Sequence, residues 1–383
     1  MGTPLLIDVG CLCDAHTDAT LEFMAKAIGE DPPDGDIWAP HPNPFVRRIV
    51  ELFTERGLQR HAGLEAELRS WLAGDGHQPS LERPARPAGA MVRWSEAEIV
   101  LTRAYLRAIP ASAWQISDWE LLVDYLVQRY LPPGDLRAEA EWLATRSNMM
   151  GRVQAAMGDA SDEMADTILA TLPALGDGVT LSPVQLAAIN FGRARCCESV
   201  AALTDSLRHR MRRLVVDHQE AIALGDRAAA AESLQSKLLD TFGTLNLDWR
   251  RIAVTEATEN VNQGMVAATP AGAKLRRVEK YRGACAFCRS IDGRVFTVVD
   301  PAKPDKDGEA SVWVGKNNIG RSASPRKRVA GTLVEREMKE LWWPAAGAQH
   351  PNCRGRWVSV GGSSPDPEFA AWLEGLKSRG VHQ

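Results

Sequence analysis

No stretch of the chain approaches the roughly 18 consecutive apolar residues of a membrane-spanning helix, so no membrane partner is expected. Residues Met1 to Cys13 place no basic group ahead of their short apolar patch, so the sequence reads as made in the cytoplasm without a secretion signal. Cysteine is scarce and odd in number, at seven. Its close neighbours, Cys11 with Cys13 and Cys196 with Cys197, do not suit a disulfide framework. Reduced thiols or metal ligands are the better reading. There is no internal repeat, no Gly-rich phosphate loop, no nucleophile elbow and no paired-carboxylate signature. These absences leave the helical N-terminal half without an obvious active site.

What is present is ordinary for a folded protein. A hydrophobic fraction of 45% with 25% charged residues excludes disorder as the main state, and 383 residues predict two or three domains. The net charge of -4 is unevenly spread. Residues 271–360 hold 18 Lys and Arg against 9 Asp and Glu, or +9, and the remaining 27 against 40 give -13. A basic module on an acidic body suggests a polyanion at one end of the molecule; a solvated basic face is the plainer alternative.

Along the chain, residues 1–74 read as an N-terminal helical region. Val46, Ile49, Val50 and Phe53 lie at helical spacing in a segment that Gly57 is expected to end. Residues 75–94, rich in Gly and Pro, read as a linker. A helical body follows over 95–245. It opens with the capping-box pair Ser95 and Glu98 and continues through stripes at 119–130 and 136–150. A long helix is expected near 182–224, with Ser182 as N-cap and Pro183 at its first position. Arg208, Arg210, Arg212 and Arg213 form a dense collar on it, suited to an assembly or polyanion contact or, more plainly, to a solvated surface. Two further helices are read over 227–242 and 248–268. The region 246–360 changes beyond Pro270 from helical periodicity to turns and clustered Cys and His, and 361–383 reads as a tail. The fold class is therefore α+β and predominantly α-helical, an elongated helical body followed by a small zinc-knuckle module.

The chemistry concentrates in that module. Cys285-Ala-Phe-Cys288 is answered 62 residues later by His350-Pro-Asn-Cys353. Two-residue spacers let a tight turn aim two side chains at one ion, and zinc favours four such soft or borderline ligands in a tetrahedron. A lone CxxC would compete with a redox dithiol or core cysteines; the second pair favours structural zinc with no open position for a water nucleophile. Ser290 to Phe296 reads as a hairpin turning on Asp292-Gly293, and Arg356 to Val360 as a strand. Trp342-Trp343 are expected to pack over the metal module. The run Gly320 to Arg328 reads as a flexible basic loop, with Arg321, Arg326, Lys327 and Arg328 as candidate phosphate contacts.

In order and spacing these elements resemble the phage head-morphogenesis family, the portal-associated minor head proteins typified by the F protein of phage Mu. The resemblance spans about residues 246–360. It rests on Arg251-Ile-Ala-Val-Thr255-Glu256, then Asn260 and Gly264, Cys285-x-x-Cys288, Asp292-Gly293-Arg-Val-Phe296 and His350-Pro-Asn-Cys353-Arg354. Two positions depart from the family pattern. Val254 stands where an arginine usually precedes Thr-Glu, and Gly355 where a further cysteine often follows. The first weakens any chemical role for Thr255 and Glu256; the second leaves His350 and Cys353 as the partners of the CxxC pair.

The resemblance implies a non-enzymatic, low-copy virion head component assembled in the host cytoplasm. Its implied partners are the portal protein, the major capsid protein or both, with packaged DNA as a further contact. Thr255, Glu256, Asn260, Asp292 and Gly293 would be structural motif residues. The rival class is a zinc-stapled nuclease, or a toxin or modification enzyme fused to a head domain. A nuclease of that type needs a second histidine-bearing site, and no other histidine lies between residues 219 and 349.

Overall fold

Helix-start chemistry places the long elements. In the computed structural model Ser95 accepts a hydrogen bond from the Glu98 amide while Glu98 reaches back to the Ser95 amide, opening helix α2 (Glu96–Ala108). Ser182 and Gln185 make the same reciprocal pair ahead of α6 (Pro183–Ala223), whose 41 residues end before Gly225 in the left-handed conformation. The structure describes residues 37–73, 84, 93–109, 114–172, 181–225, 234–303, 306–361, 370, 371 and 373–375. Most of the 75–94 linker, the first 36 residues and most of the 361–383 tail lie outside them.

The remaining helices are α1 (Pro44–Ala73), α3 (Ile116–Tyr130), α4 (Pro133–Met157), α5 (Asp162–Thr171), α7 (Leu234–Ala268) and the short α8 (Ala286–Ile291). The strands are β1 (Lys274–Val278), β2 (Val295–Val298), β3 (Ser311–Val312), β4 (Arg326–Val329), β5 (Thr332–Glu335) and β6 (Arg356–Val360). The fold is α+β and predominantly helical, with a small C-terminal sheet region.

Two helix boundaries differ from expectation. Gly57 does not end α1, because the bare face it leaves is filled by the Trp249 indole, against which an added Cβ would clash. The expected pair of helices over 227–268 is, within the described residues, one element: α7 runs through Gly243. Leu238, Phe242, Leu245 and Trp249 keep its buried stripe unbroken there.

The chain divides into two compact units. One comprises Thr54–Ala140 and Cys197–Trp249, and it buries Glu67, Asp124 and Asp248 against arginines that reach in from its partly exposed positions. Glu67 accepts hydrogen bonds from the Tyr125 and Tyr130 hydroxyls, each at 2.7 Å, and pairs with Arg129 at 2.9 Å. Asp124 takes Arg208 and Arg212, both at 2.7 Å, and Asp248 takes Arg210 at 3.2 Å. The expected arginine collar is therefore mostly turned to internal carboxylates; Arg213 stays exposed and pairs with Asp217.

The other unit comprises Met1–Phe53, Glu141–Cys196 and Arg250–Gln383. Here α4 and α7 pack backbone to backbone: a Cβ on Gly151 would strike the Val261 carbonyl, and one on Gly264 the Asn148 carbonyl. The four-stranded sheet has the order β3-β2-β1-β6, with β1 antiparallel to β2 and β6, and β2 parallel to β3. Its inner face places Leu275, Phe296, Val298, Val312 and Trp357 against Met265 and Val266 of α7. Strand β1 alternates exposed and buried positions, which turns Arg277 inward beside Leu275.

Candidate metal centre

The first knuckle is a helix start rather than the arm of a hairpin. Cys285 is the N-cap of α8, its sulfur accepting the Cys288 amide at 3.4 Å, so the two thiols of the CxxC fall on one side of a single turn. Residues 290 and 291, expected as strand, are the end of this helix. Asp292-Gly293 serves a different turn: Gly293 has φ +78, its amide donates to the Arg277 carbonyl, and Asp292 Oδ1 accepts the Glu279 amide at 2.8 Å. The motif thus stitches the end of α8 to β1, and the hairpin partner of β2 is β1. In the second knuckle, Asn352 adopts φ +62 and the Cys353 amide donates to the His350 carbonyl, closing the turn that carries both side chains.

The knuckles meet. Cys285 Sγ and Cys288 Sγ each lie 3.3 Å from His350 Nε2. These three atoms lie within 4.8 Å of one another, close enough to hold a metal ion. His350 Nδ1 faces the Pro351 carbonyl at 2.7 Å, an arrangement that fixes the ring and leaves Nε2 for the sulfurs. Cys353 Sγ belongs to a second triad with Cys288 and Glu279, also within 4.8 Å of one another and fully buried. Trp342 stacks on His350 at 5.6 Å and 13°, and Phe287 meets Trp342 edge-on.

The electrostatics are those of thiols, an imidazole and a carboxylate crowded together. Hydrogen bonding from Cys288, with His350 beside it, pulls the Cys285 thiol down to about 4. Burial disfavours an imidazolium at His350, but the Cys285 hydrogen bond and the Cys353 charge win and raise it to about 9. Burial also opposes ionising Cys353; the Cys288 hydrogen bond and the charges of His350 and Arg277 nevertheless hold it well below the usual thiol range. Glu279 is pushed up to about 7 by burial, and further by the Cys353 thiolate.

Helix α7 fastens the surrounding loops with a polar face. Thr255 Oγ1 accepts the Asn352 amide at 2.9 Å, Glu259 the Ala348 amide at 2.5 Å and Gln263 the Gly315 amide at 3.0 Å; Asn262 donates to the Gly355 carbonyl at 2.8 Å. Of the family-motif residues, Glu256 pairs with Arg195 at 2.9 Å, and Asn260 donates to the Glu256 carbonyl beside Cys196. Thr255, Glu256 and Asn260 are buried in packing, Asp292 is half-buried and Gly293 exposed. Sequence reasoning missed Arg277, Glu279, Tyr281 and Glu259, which follow no ligand spacing. It also missed His41, whose Nε2 meets Thr258 Oγ1 at 3.1 Å and which burial and then Arg354 keep neutral.

The basic run is a loop over 320–325 and a strand from Arg326. Arg326–Val329 pairs with Thr332–Glu335 as an antiparallel hairpin. Arg321 lies on the Trp343 ring at 3.6 Å and donates to the Leu341 carbonyl, while Lys327 is paired with Glu340. Arg326 and Arg328 remain exposed. The chain matches no family model, no curated protein and no solved structure.

Proposed function

We propose that this chain is a non-enzymatic minor head protein of a tailed phage or prophage, in which a structural zinc ion ties the two knuckles together. The observation that carries the reading is the convergence of CxxC and HxxC beside α7, in the motif order of the head-morphogenesis family. Cys285, Cys288 and His350 would hold the ion, and Cys353, grouped with Cys288, would be the fourth donor of the thiolate and imidazole set that structural zinc favours. When bound, the ion supplies cross-linking energy, on the order of 10 kcal/mol in small zinc peptides. The chain's own part is to aim the ligands: α8 presents the two sulfurs, and Thr255 and Glu259 hold the backbone of the second knuckle.

In this reading the helical part docks on the portal or major capsid protein in low copy. The exposed Arg326 and Arg328 of the β4-β5 hairpin face packaged DNA, with Arg321 and Lys327 supporting the hairpin from behind. The burial of Thr255, Glu256 and Asn260 in packing favours a fastening role for them over catalysis. Co-expression with the portal protein of the same genome tests it: the chain should remain on the portal ring through size exclusion at fewer copies than portal subunits. A chain that elutes alone, or that cleaves DNA in the presence of zinc, contradicts the proposal.

A further inference from the structure

Behind Cys353 lies a group of side chains that holding the ion does not by itself require. Arg277 and Glu279 are both fully buried, and Arg277 Nε donates to Glu279 Oε1 at 2.6 Å. The guanidinium lies over the Trp357 ring at 5.0 Å, which fixes its plane. Its Nη2 then points at Cys353 Sγ, 3.7 Å away, and the Tyr281 hydroxyl points at the same sulfur from 3.7 Å. Glu279 Oε2 lies 3.8 Å from the same sulfur, so the thiol can donate to the carboxylate when protonated, while the two donors serve the thiolate.

Charge leads to the same place. Three thiolates and a divalent ion leave -1, and the Arg277–Glu279 pair, neutral in itself, sets its guanidinium toward the Cys353 sulfur. A buried negative charge is costly unless a cation or a hydrogen-bond donor faces it.

We propose that Arg277, braced by Glu279, acts with Tyr281 to position Cys353 as a metal ligand, and that the two donors set the affinity of the centre for thiophilic divalent ions. This rests on the metal reading above. Arg277 and Tyr281 are positioning residues, and Glu279 is a brace and not a ligand. Carboxylates that orient a metal-binding histidine from behind have the same logic; here the oriented group is a guanidinium and the ligand a sulfur.

The test is zinc affinity of the full chain, read by competition with a chromophoric chelator, together with the absorption of the Co2+-loaded protein. Arg277→Gln should weaken zinc by about 10- to 100-fold and Arg277→Lys by less. Tyr281→Phe should weaken it about tenfold, each variant still taking up the ion at saturation. The thiolate-to-cobalt charge-transfer band should shift or weaken in Arg277→Gln, a change that loss of packing alone would not cause. Wild-type zinc affinity in Arg277→Gln overturns the proposal. If that variant does not fold, wild-type affinity in Tyr281→Phe overturns it alone. Glu279→Gln that abolishes binding as completely as Cys288→Ser makes Glu279 a ligand, which also overturns it. A wild-type chain that takes up no zinc fails the metal reading itself and is seen before any variant is made.

Discussion

The unit of Thr54–Ala140 and Cys197–Trp249 and the Cys-His cluster of the other unit bury charge in different ways. In the unit of Thr54–Ala140 and Cys197–Trp249, each buried carboxylate described above meets its cations from the same chain: Glu67 has Arg129 and two tyrosine hydroxyls, Asp124 two arginines and Asp248 one. In the C-terminal module three cysteines, a histidine and Glu279 form two triads that share Cys288, with Arg277 paired to Glu279 beside them. The first arrangement is complete as it stands. The second has a surplus of metal-ligating groups, close enough together to hold an ion.

The largest effect should come from removing a donor at the centre of the module. Cys288→Ser is expected to abolish zinc uptake, and the full chain should lose the stabilisation that bound metal gives, about 4 kcal/mol at a thousandfold excess over Kd, read as melting with and without chelator. Glu67→Ala makes the contrasting cut: it should destabilise by about 3 kcal/mol, equally with and without metal, because it leaves the buried Tyr125 hydroxyl without its acceptor. A Glu67→Ala variant whose loss depends on zinc would erase the distinction.

Acidity sharpens the same contrast. His350, raised to about 9, must give up its proton before Nε2 can bind a metal. Zinc affinity should therefore rise between pH 6 and 9 by about tenfold per pH unit for each proton released, measured by competition titration. In the metal-free chain the sign is reversed. A raised histidine stabilises fully below its ordinary value of 6.5, and that contribution is lost as pH climbs through about 9. Metal-free protein should thus be less stable at pH 9.5 than at pH 6.5 by this group's share, while zinc-bound protein shows no such loss.

The smallest effect on stability belongs to the hairpin. Arg326→Glu with Arg328→Glu should change stability by less than about 0.5 kcal/mol, since both side chains are exposed. It should also lower the salt dependence of duplex DNA binding by about two units of log-log slope. An unchanged slope would remove these arginines from the DNA contact.

Local signals were legible where the chemistry is local. Ser95 with Glu98 and Ser182 with Pro183 announce helix starts within four residues, and Cys285-x-x-Cys288 announces a turn that aims two sulfurs. Signals that depend on distant partners were not. Gly57 and Gly243 look like helix breakers until Trp249 is seen to cover the first and the stripe through Leu245 to carry α7 past the second. Arg208 and Arg212 look like surface until Asp124, more than 80 residues away, is found beneath them. Arg277 and Glu279 fall on an inward strand register, and a charge in such a position was the one clue available to their role behind Cys353.

The most direct test is the metal content of the full-length chain purified without added metal. The account expects about one zinc per chain, removed by chelator and absent from Cys288→Ser. A folded wild-type protein with no metal, whose cysteines at 285, 288 and 353 all react freely with a thiol reagent, would contradict it.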